Sequence, residues 1–484
     1  MSTDQFPSHW QLLPLSEAVD ALIDYRGKTP KKTSHGVPLI TAKIVKGGTI
    51  LPATEYIAEE DYDSWMVRGL PKAGDVVVTT EAPLGEVAQL ADENVALAQR
   101  IVTLRGAEGL LKNDYLRYVM QGAYVQGQLE SRASGSTVKG IKQSELRKVI
   151  LPIPPEHEQN KIAVHLSALD EKIQLNQQIN QTLEQMAQAI FKSWFVDFEP
   201  VKAKIAALEA GGSEEDALLA AMQVIAGDAQ GCANAAGGRM PGAAKGDKLT
   251  RLQTEQPEQY AELRATAELF PSAMQDSELG EIPEGWKSGF LSDICDFQNG
   301  YAFKSKDWAE SGFAVVKIGS VKPEFVDIQA SSYVREHTVS GLERFELHAG
   351  DLLVGMTGYP GESGLVPMTE NRIFLNQRVG RLKPRHSHQK ALLYCNVRNK
   401  AFKQYVQGQA HGSAQANVSG RAIGEYPLTL PPDSIGRRFS TLIEPILRQK
   451  LMLNAESSTL ASLRDTLLPK LISGELSPEG MEAK

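Results

Sequence analysis

Between Glu156 and Phe195 a seam returns at alternating steps of four and three: Ile162, Leu166, Leu169, Ile173, Asn176, Asn180, Leu183, Ala187, Ile190 and Trp194. Gln, Glu, Lys and Asn fill the positions between. That spacing is the narrow a/d stripe of a coiled coil rather than the wider face of an ordinary surface helix. No Pro or Gly interrupts the run, so it predicts one helix of roughly 60 Å, too long for the core of one compact domain. A second run, from Ser434 to Ile472, keeps apolar residues at Phe439, Ile443, Ile446, Leu453, Leu460, Leu467 and Leu471. It is less regular, with Lys450, Ser457 and Arg464 on its seam and Pro445 at a kink position in its first turns. The two runs are expected to pair with each other.

What precedes each run also repeats. Trp10 with Leu15-Ser16-Glu17 returns 276 residues later as Trp286 with Leu291-Ser292-Asp293. Ala73-Gly74-Asp75 followed by three Val returns as Ala349-Gly350-Asp351-Leu352-Leu353-Val354 at the same offset. Gln99-Arg100, Tyr124 to Gln128 and Pro154-Pro155 recur as Gln377-Arg378, Tyr405 to Gln409 and Pro431-Pro432, at offsets of 278, 281 and 277. Matches in constant order at near-constant offset identify a duplicated unit. Each copy reads as short strands (Val37 to Ile44, Asp75 to Thr80, Val315 to Ile318, Asp351 to Met356) punctuated by Gly and Pro turns. One helical stretch is expected at Asn113 to Leu129 and again at Lys390 to Val406. Glu156, Glu158 and Asp433 or Ser434 suit the positive start of each long helix.

The expected class is therefore α+β, a tandem pseudo-twofold repeat whose two long helices pair as an antiparallel coiled coil. The boundaries are a first domain at 1–155, its helix at 156–198, an insertion at 199–281, a second domain at 282–432, its helix at 433–473, and a tail at 474–484. Helices are expected in the insertion at Val201 to Leu208, Glu214 to Ile225 and Leu249 to Leu269. The Ala/Gly-rich Gly227 to Gly246 reads as flexible, so the segment is a linker, with docking of a partner as the alternative.

Charge changes the picture only through its distribution. The formal net charge is −8, but residues 197–284 hold 16 of the 59 acidic and 7 of the 51 basic side chains. The rest carries 43 acids and 44 bases, so basic faces remain available to nucleic acid. Cys232, Cys295 and Cys395 have no paired spacing, which argues against a disulfide framework or zinc knuckle and for a reducing cytoplasm. No signal-peptide pattern opens the chain and no apolar run is of membrane-spanning length. There is no dinucleotide fingerprint, Walker loop, His-Glu-x-x-His or Gly-x-Ser-x-Gly, and no Asn/Asp-Pro-Pro-aromatic motif of amino methylation. His386-x-His388 lacks companion ligands and is expected to be solvated. No metal, cofactor or catalytic residue is assigned to this chain. Two similar but non-identical domains on paired helices suit gripping two different half-sites on DNA.

The ordered motifs resemble those of type I restriction–modification specificity subunits. The resemblance rests on the Trp-x4-Leu-Ser openings, the Ala-Gly-Asp strands and the Gln-Arg pairs. It extends to Gly135-Ser136-Thr137, the run from Leu151 to Gln159, Glu281 to Trp286, and Leu467 to Leu476, and it covers all but the centre of the insertion. It implies two target-recognition domains that each read half of a bipartite double-stranded DNA sequence, with the helices setting the spacing. It further implies two copies of a modification methyltransferase subunit acting on adenine N6, and restriction (motor-nuclease) subunits. S-adenosylmethionine, ATP and magnesium would belong to those partners. One departure is visible: Glu158-Gln159 after the first Pro-Pro becomes Ile435-Gly436 after the second, which makes the two partner-docking surfaces unequal. A partner with methylase and nuclease fused, or a coiled-coil scaffold without DNA contact, are the other readings.

Base and phosphate contact calls for cations, hydroxyls and amides on loops. The candidates in the first domain are Arg26, Lys28, Thr29, Lys43, Lys46, Ser136, Thr137 and Lys139. Those in the second are Tyr301, Lys304, Thr357, Tyr359, Gln415, Asn417 and Arg421. Gln99-Arg100 and Gln377-Arg378 divide evenly between a role within the fold and a DNA-facing one.

Overall fold

The computed structural model describes residues 6–135, 138–235, 245–410 and 416–480. They form two compact units, one of 1–173 with 459–484, the other of 174–458. Each long helix is continuous, Glu156–Phe195 and Asp433–Ser473, and contributes to both units.

In the first unit, β1 (Val19–Asp24), β2 (Val76–Thr80), β3 (Leu84–Gln89) and β4 (Ile101–Gly106) form a sheet in the order β1-β4-β2-β3. Strand Gln11–Pro14 pairs antiparallel with Ile150–Ile153, which delivers the chain to the first long helix. The helical stretch expected from Asn113 is two helices, Asn113–Gln121 and Ala123–Arg132, broken at Gly122. A Cβ there would stand 3.0 Å from the Ile472 side chain, so the close approach of the second long helix favours Gly. Ile162, Leu166 and Leu471 are buried in this core and Leu467 packs against it, while Leu169, Ile173 and Leu460 are half-buried.

The second unit repeats the sheet with β5 (Cys295–Asn299), β6 (Leu352–Gly355), β7 (Ser363–Leu365) and β8 (Val379–Pro384) in the order β5-β8-β6-β7. Its helices Lys390–Arg398 and Lys400–Gly408 break at Asn399, whose side chain accepts the Ala401 N–H and so caps the second. Ile190, Ile443 and Leu453 are buried, and Leu183 and Ile446 half-buried. Within each unit the long helices run antiparallel: Asp170 meets Arg464 in the first, and Asn176 meets Glu456 and Glu184 meets Lys450 in the second.

The repeated Ala-Gly-Asp has a structural cause. The Arg105 guanidinium donates to both carboxylate oxygens of fully buried Asp75 at 2.8 and 2.7 Å. Arg381 binds Asp351 at 2.9 Å in the second unit, again 276 residues on. Both acids also accept a backbone N–H three residues back, Lys72 and His348, with Gly74 and Gly350 between at φ +87° and +81°, a region in which Gly carries no steric penalty.

The insertion carries the helices expected of it, Glu199–Glu209, Glu214–Ala235 and, for the third, a pair at Lys245–Glu255 and Pro257–Glu268, but the second runs on through about half of the stretch expected to be flexible, and the segment packs rather than links. Val201, Ala221, Met222, Ile225 and Phe270 join one buried cluster with Trp194, Trp286 and Phe439. Phe270 stands edge-on to Trp194 at 5.1 Å and Phe198 edge-on to Trp286 at 5.7 Å, geometry in which aromatic pairs add to plain burial. Buried Lys204 donates to the Phe270 carbonyl at 2.6 Å, and Arg438 of the second long helix donates to Thr266 at 2.6 Å. These residues of the segment are core, while Leu269 and Leu279 remain exposed.

Candidate nucleic-acid interface

In the first unit the sheet register puts Asp24, Ile101, Val102, Thr80 and Leu84 at one end. The loops leaving that end carry most of the predicted residues. Tyr25 is buried and stacks on Trp65 with ring centroids 5.5 Å apart, and its hydroxyl donates to the Gly69 carbonyl at 2.9 Å. That burial raises its phenol pKa above the ordinary value. Arg26, next in the chain, donates to the Ile141 carbonyl at 2.8 Å, fastening the loop to the segment at Gly140 and Ile141. That segment is held by bridges from Gly140 to Glu81 and Ser134 and by the Ile141 N–H bonded to the Thr80 carbonyl at 3.0 Å. Arg68 donates to the carbonyls of Asp24 and Arg26. Gln99 donates to the Thr29 hydroxyl at 3.0 Å. Lys28 and Lys139 are exposed on these loops. Lys46 sits on a hairpin whose Gly47 N–H reaches the Glu86 carboxylate near the start of β3, while Lys43 is exposed with no bond joining it to the group. Ser136 and Thr137 lie outside the described residues.

The second unit builds the same end from different residues. Asn299, Val379, Gly355 and Ser363 stand together there. Thr357 bridges Asn417 and donates to its side-chain oxygen at 2.8 Å, and the Val418 N–H bonds the Met356 carbonyl at 2.9 Å. This last bond is the counterpart of Ile141 to Thr80. Tyr359 is 71% exposed, and no ring contact holds it among the described residues. Tyr301 is less free, with its ring 5.0 Å from Phe303 and 5.6 Å from Phe345. Lys304 is exposed just after buried Phe303. Arg421 is exposed but paired with Glu425 at 2.8 Å one turn on. Gln415 lies outside the described residues. A cation the sequence reading missed, Lys317, lies 3.7 Å over the Trp308 ring, and burial lowers its pKa.

Two sheets of matching order therefore offer unlike loops at the corresponding end. A family model for the type I restriction modification DNA specificity domain matches residues 7–185 and again 283–458. The chain belongs to that family. It is 31% identical over 355 residues to the type I restriction enzyme HindI specificity subunit of Haemophilus influenzae, covering 72% of this chain and 73% of that one. It is 23% identical over 428 residues to the MjaIX specificity subunit of Methanocaldococcus jannaschii, covering 87% and 82%. The crystal structure of a type I restriction–modification S subunit from M. genitalium shares the fold, with a TM-score of 0.50 at 16% identity and 97% coverage of each chain.

Within this specificity subunit the departure after the second Pro-Pro has an internal account. Glu158 accepts the Trp10 indole N–H at 3.1 Å and contacts His9 at 2.7 Å. Buried Gln159 accepts the Lys112 N–H and donates to the carbonyls of Leu110 and Pro154. In the second unit, Ile435 replaces the acid and the Trp286 indole N–H has no partner among the described residues. Gly436 replaces the amide, and His388 packs over it, 3.5 Å from the Asp433 carboxylate. The expectation that His386 and His388 are both solvated fails for His388, which is buried because it occupies that vacated place. No helix among the described residues is long and apolar enough to cross a membrane.

Proposed function

We propose that this specificity subunit reads an asymmetric, two-part DNA sequence. One half is read by the loops around Arg26, Lys28, Thr29 and Lys139, the other by those around Lys304, Thr357, Tyr359 and Asn417. The observation that carries the reading is the shared sheet end with unlike loops: a common scaffold presents different donors and acceptors, as different half-sites require. The chain supplies recognition. A partner methyltransferase with bound S-adenosylmethionine would supply adenine-N6 methylation, and motor-nuclease partners using ATP and magnesium would supply restriction. Family membership supports assembly with other restriction–modification subunits; two methyltransferase copies, one for each unit of the repeat, complete the proposal. A map of N6-methyladenine across the genome, with and without this gene, tests the proposal. The expected result is loss of one split, asymmetric motif. Persistence of every motif in cells that express an active methyltransferase partner would overturn it.

A further inference from the structure

The geometry points to Arg100 and Arg378 as paired phosphate anchors, one per unit, that hold either half of the DNA without reading it. The two residues occupy the same place. Each precedes the strand that pairs with both neighbours in its sheet, β4 and β8. Each has its carbonyl tied to the end of the adjacent strand, Thr80 N–H to Arg100 at 2.8 Å and Met356 N–H to Arg378 at 3.2 Å. Arg100 is held there at φ +72°, a conformation uncommon for a residue with a side chain. Its side chain is 51% exposed, with Glu81 no nearer than 4.0 Å. Arg378 is exposed, and its guanidinium has no partner among the described residues. Both stand at the sheet end from which the candidate recognition loops leave.

Identity at one place and difference around it carry the argument, which rests on the proposal that the two units read different half-sites. Loops that must tell sequences apart differ between the units: Arg26, Thr29 and Lys139 in one, Thr357, Tyr359 and Asn417 in the other. A side chain kept the same in both cannot supply that difference. It can bind what every duplex shares, the phosphate backbone, for which an exposed guanidinium is suited. A purely structural role would require the guanidinium to be engaged with the fold; among the described residues neither is hydrogen-bonded to it, and Arg100 has only the half-exposed Glu81 carboxylate at 4.0 Å. The preceding Gln99 bonds Thr29 through its side chain, and the Gln377 backbone N–H bonds the Tyr301 carbonyl at 3.0 Å.

The test uses the full chain and a labelled mixed-sequence duplex of about 40 base pairs, with affinity followed by fluorescence anisotropy across a salt series. Arg100→Gln and Arg378→Gln should each lower the slope of log affinity against log salt by about 0.9. Each variant's affinity should then fall about 3.5-fold less than the parent's between about 50 and about 200 mM salt. The double variant should lose about twice the slope, and Arg→Lys at each place should restore it. The methylated motif should keep both half-sites. A parental slope in the Gln variants, with duplex binding intact, would overturn this inference alone, as would a change of base preference at one half-site. No salt-dependent binding by the parent chain would overturn the DNA-reading proposal and this inference with it.

Discussion

Removing the Glu184 carboxylate should be among the most damaging single changes in the second unit. Glu184, on the first long helix, accepts from Lys450 of the second, from the Tyr394 hydroxyl, and from Arg398 at 3.3 Å. The Lys450 side chain is 0% exposed and that of Arg398 13%. Glu184→Gln keeps the shape but removes the carboxylate shared by two buried cations, leaving Lys450 to Glu324 at 3.8 Å, and a loss of about 3 kcal/mol is expected. Lys450→Met leaves Glu184 paired with Arg398 and fills the same space, so its cost should stay below about 1.5 kcal/mol. The double variant removes the worse stranded charge and should recover about 2 kcal/mol of the Gln loss. With two compact units the global unfolding curve is not a single two-state step. Hydrogen exchange across helix Lys390–Arg398 reads this unit directly. Burial would push the Glu184 pKa up, but Lys450 and Arg398 outweigh it and hold the carboxyl below its ordinary value. A depressed folded pKa gives stabilisation that is complete above the unfolded value of about 4.3 and lost as pH falls through the lower folded value. Protection in the parent should therefore hold steady from about pH 7 to 5 and decline below about 4, with the Gln variant lacking that decline. A Gln loss under about 1 kcal/mol, or a double variant no better than the Gln single, would refute the reasoning.

Two other outcomes follow from features of the fold. Asp75→Asn should cost about 3 kcal/mol, by denaturation or exchange protection at β2 and β4, because Arg105 then loses the carboxylate that binds it through two nitrogens. Asp351→Asn should cost less, since its carboxylate is 24% exposed against 0% for Asp75 and Gln298 also binds Arg381. Exchange of residues 1–155 for those of another specificity subunit should change one half-site in the methylation map and leave the other intact; a change in both would count against separate reading by the two units.

The long helices, the repeat and its sheet class were legible because they are written as local period and constant offset. The insertion's packing was not, because Val201, Met222 and Phe270 find their partners in Trp194 and Trp286, a relation no local pattern encodes. Lys450 and Arg464 were visible as faults in the seam. Their partners were hidden, since Glu184 and Asp170 each follow a seam residue, Leu183 and Leu169, and only the cross-helix register pairs them with the cations. The interface was half legible. Gly-rich turns marked the loops, but their gathering at one end depends on strand register, and nothing in the sequence separates Arg26, which holds a turn, from Arg100, which is exposed with Glu81 at 4.0 Å.

The seam clusters also bear on how such genes can be reassorted. In both units the carboxylate sits on the first long helix and the cation on the second: Asp170 with Arg464, Glu184 with Lys450. At the repeat offset of 277, Ala187 and Ile173 are the first helix's counterparts of Arg464 and Lys450. A product assembled from two first halves would thus set both acids against uncharged side chains on the facing helix, with Asp170 keeping Arg117 of its own half. Exchange of halves between relatives therefore meets a constraint of charge as well as of reading frame: the second long helix has to bring a cation to the Glu184 position.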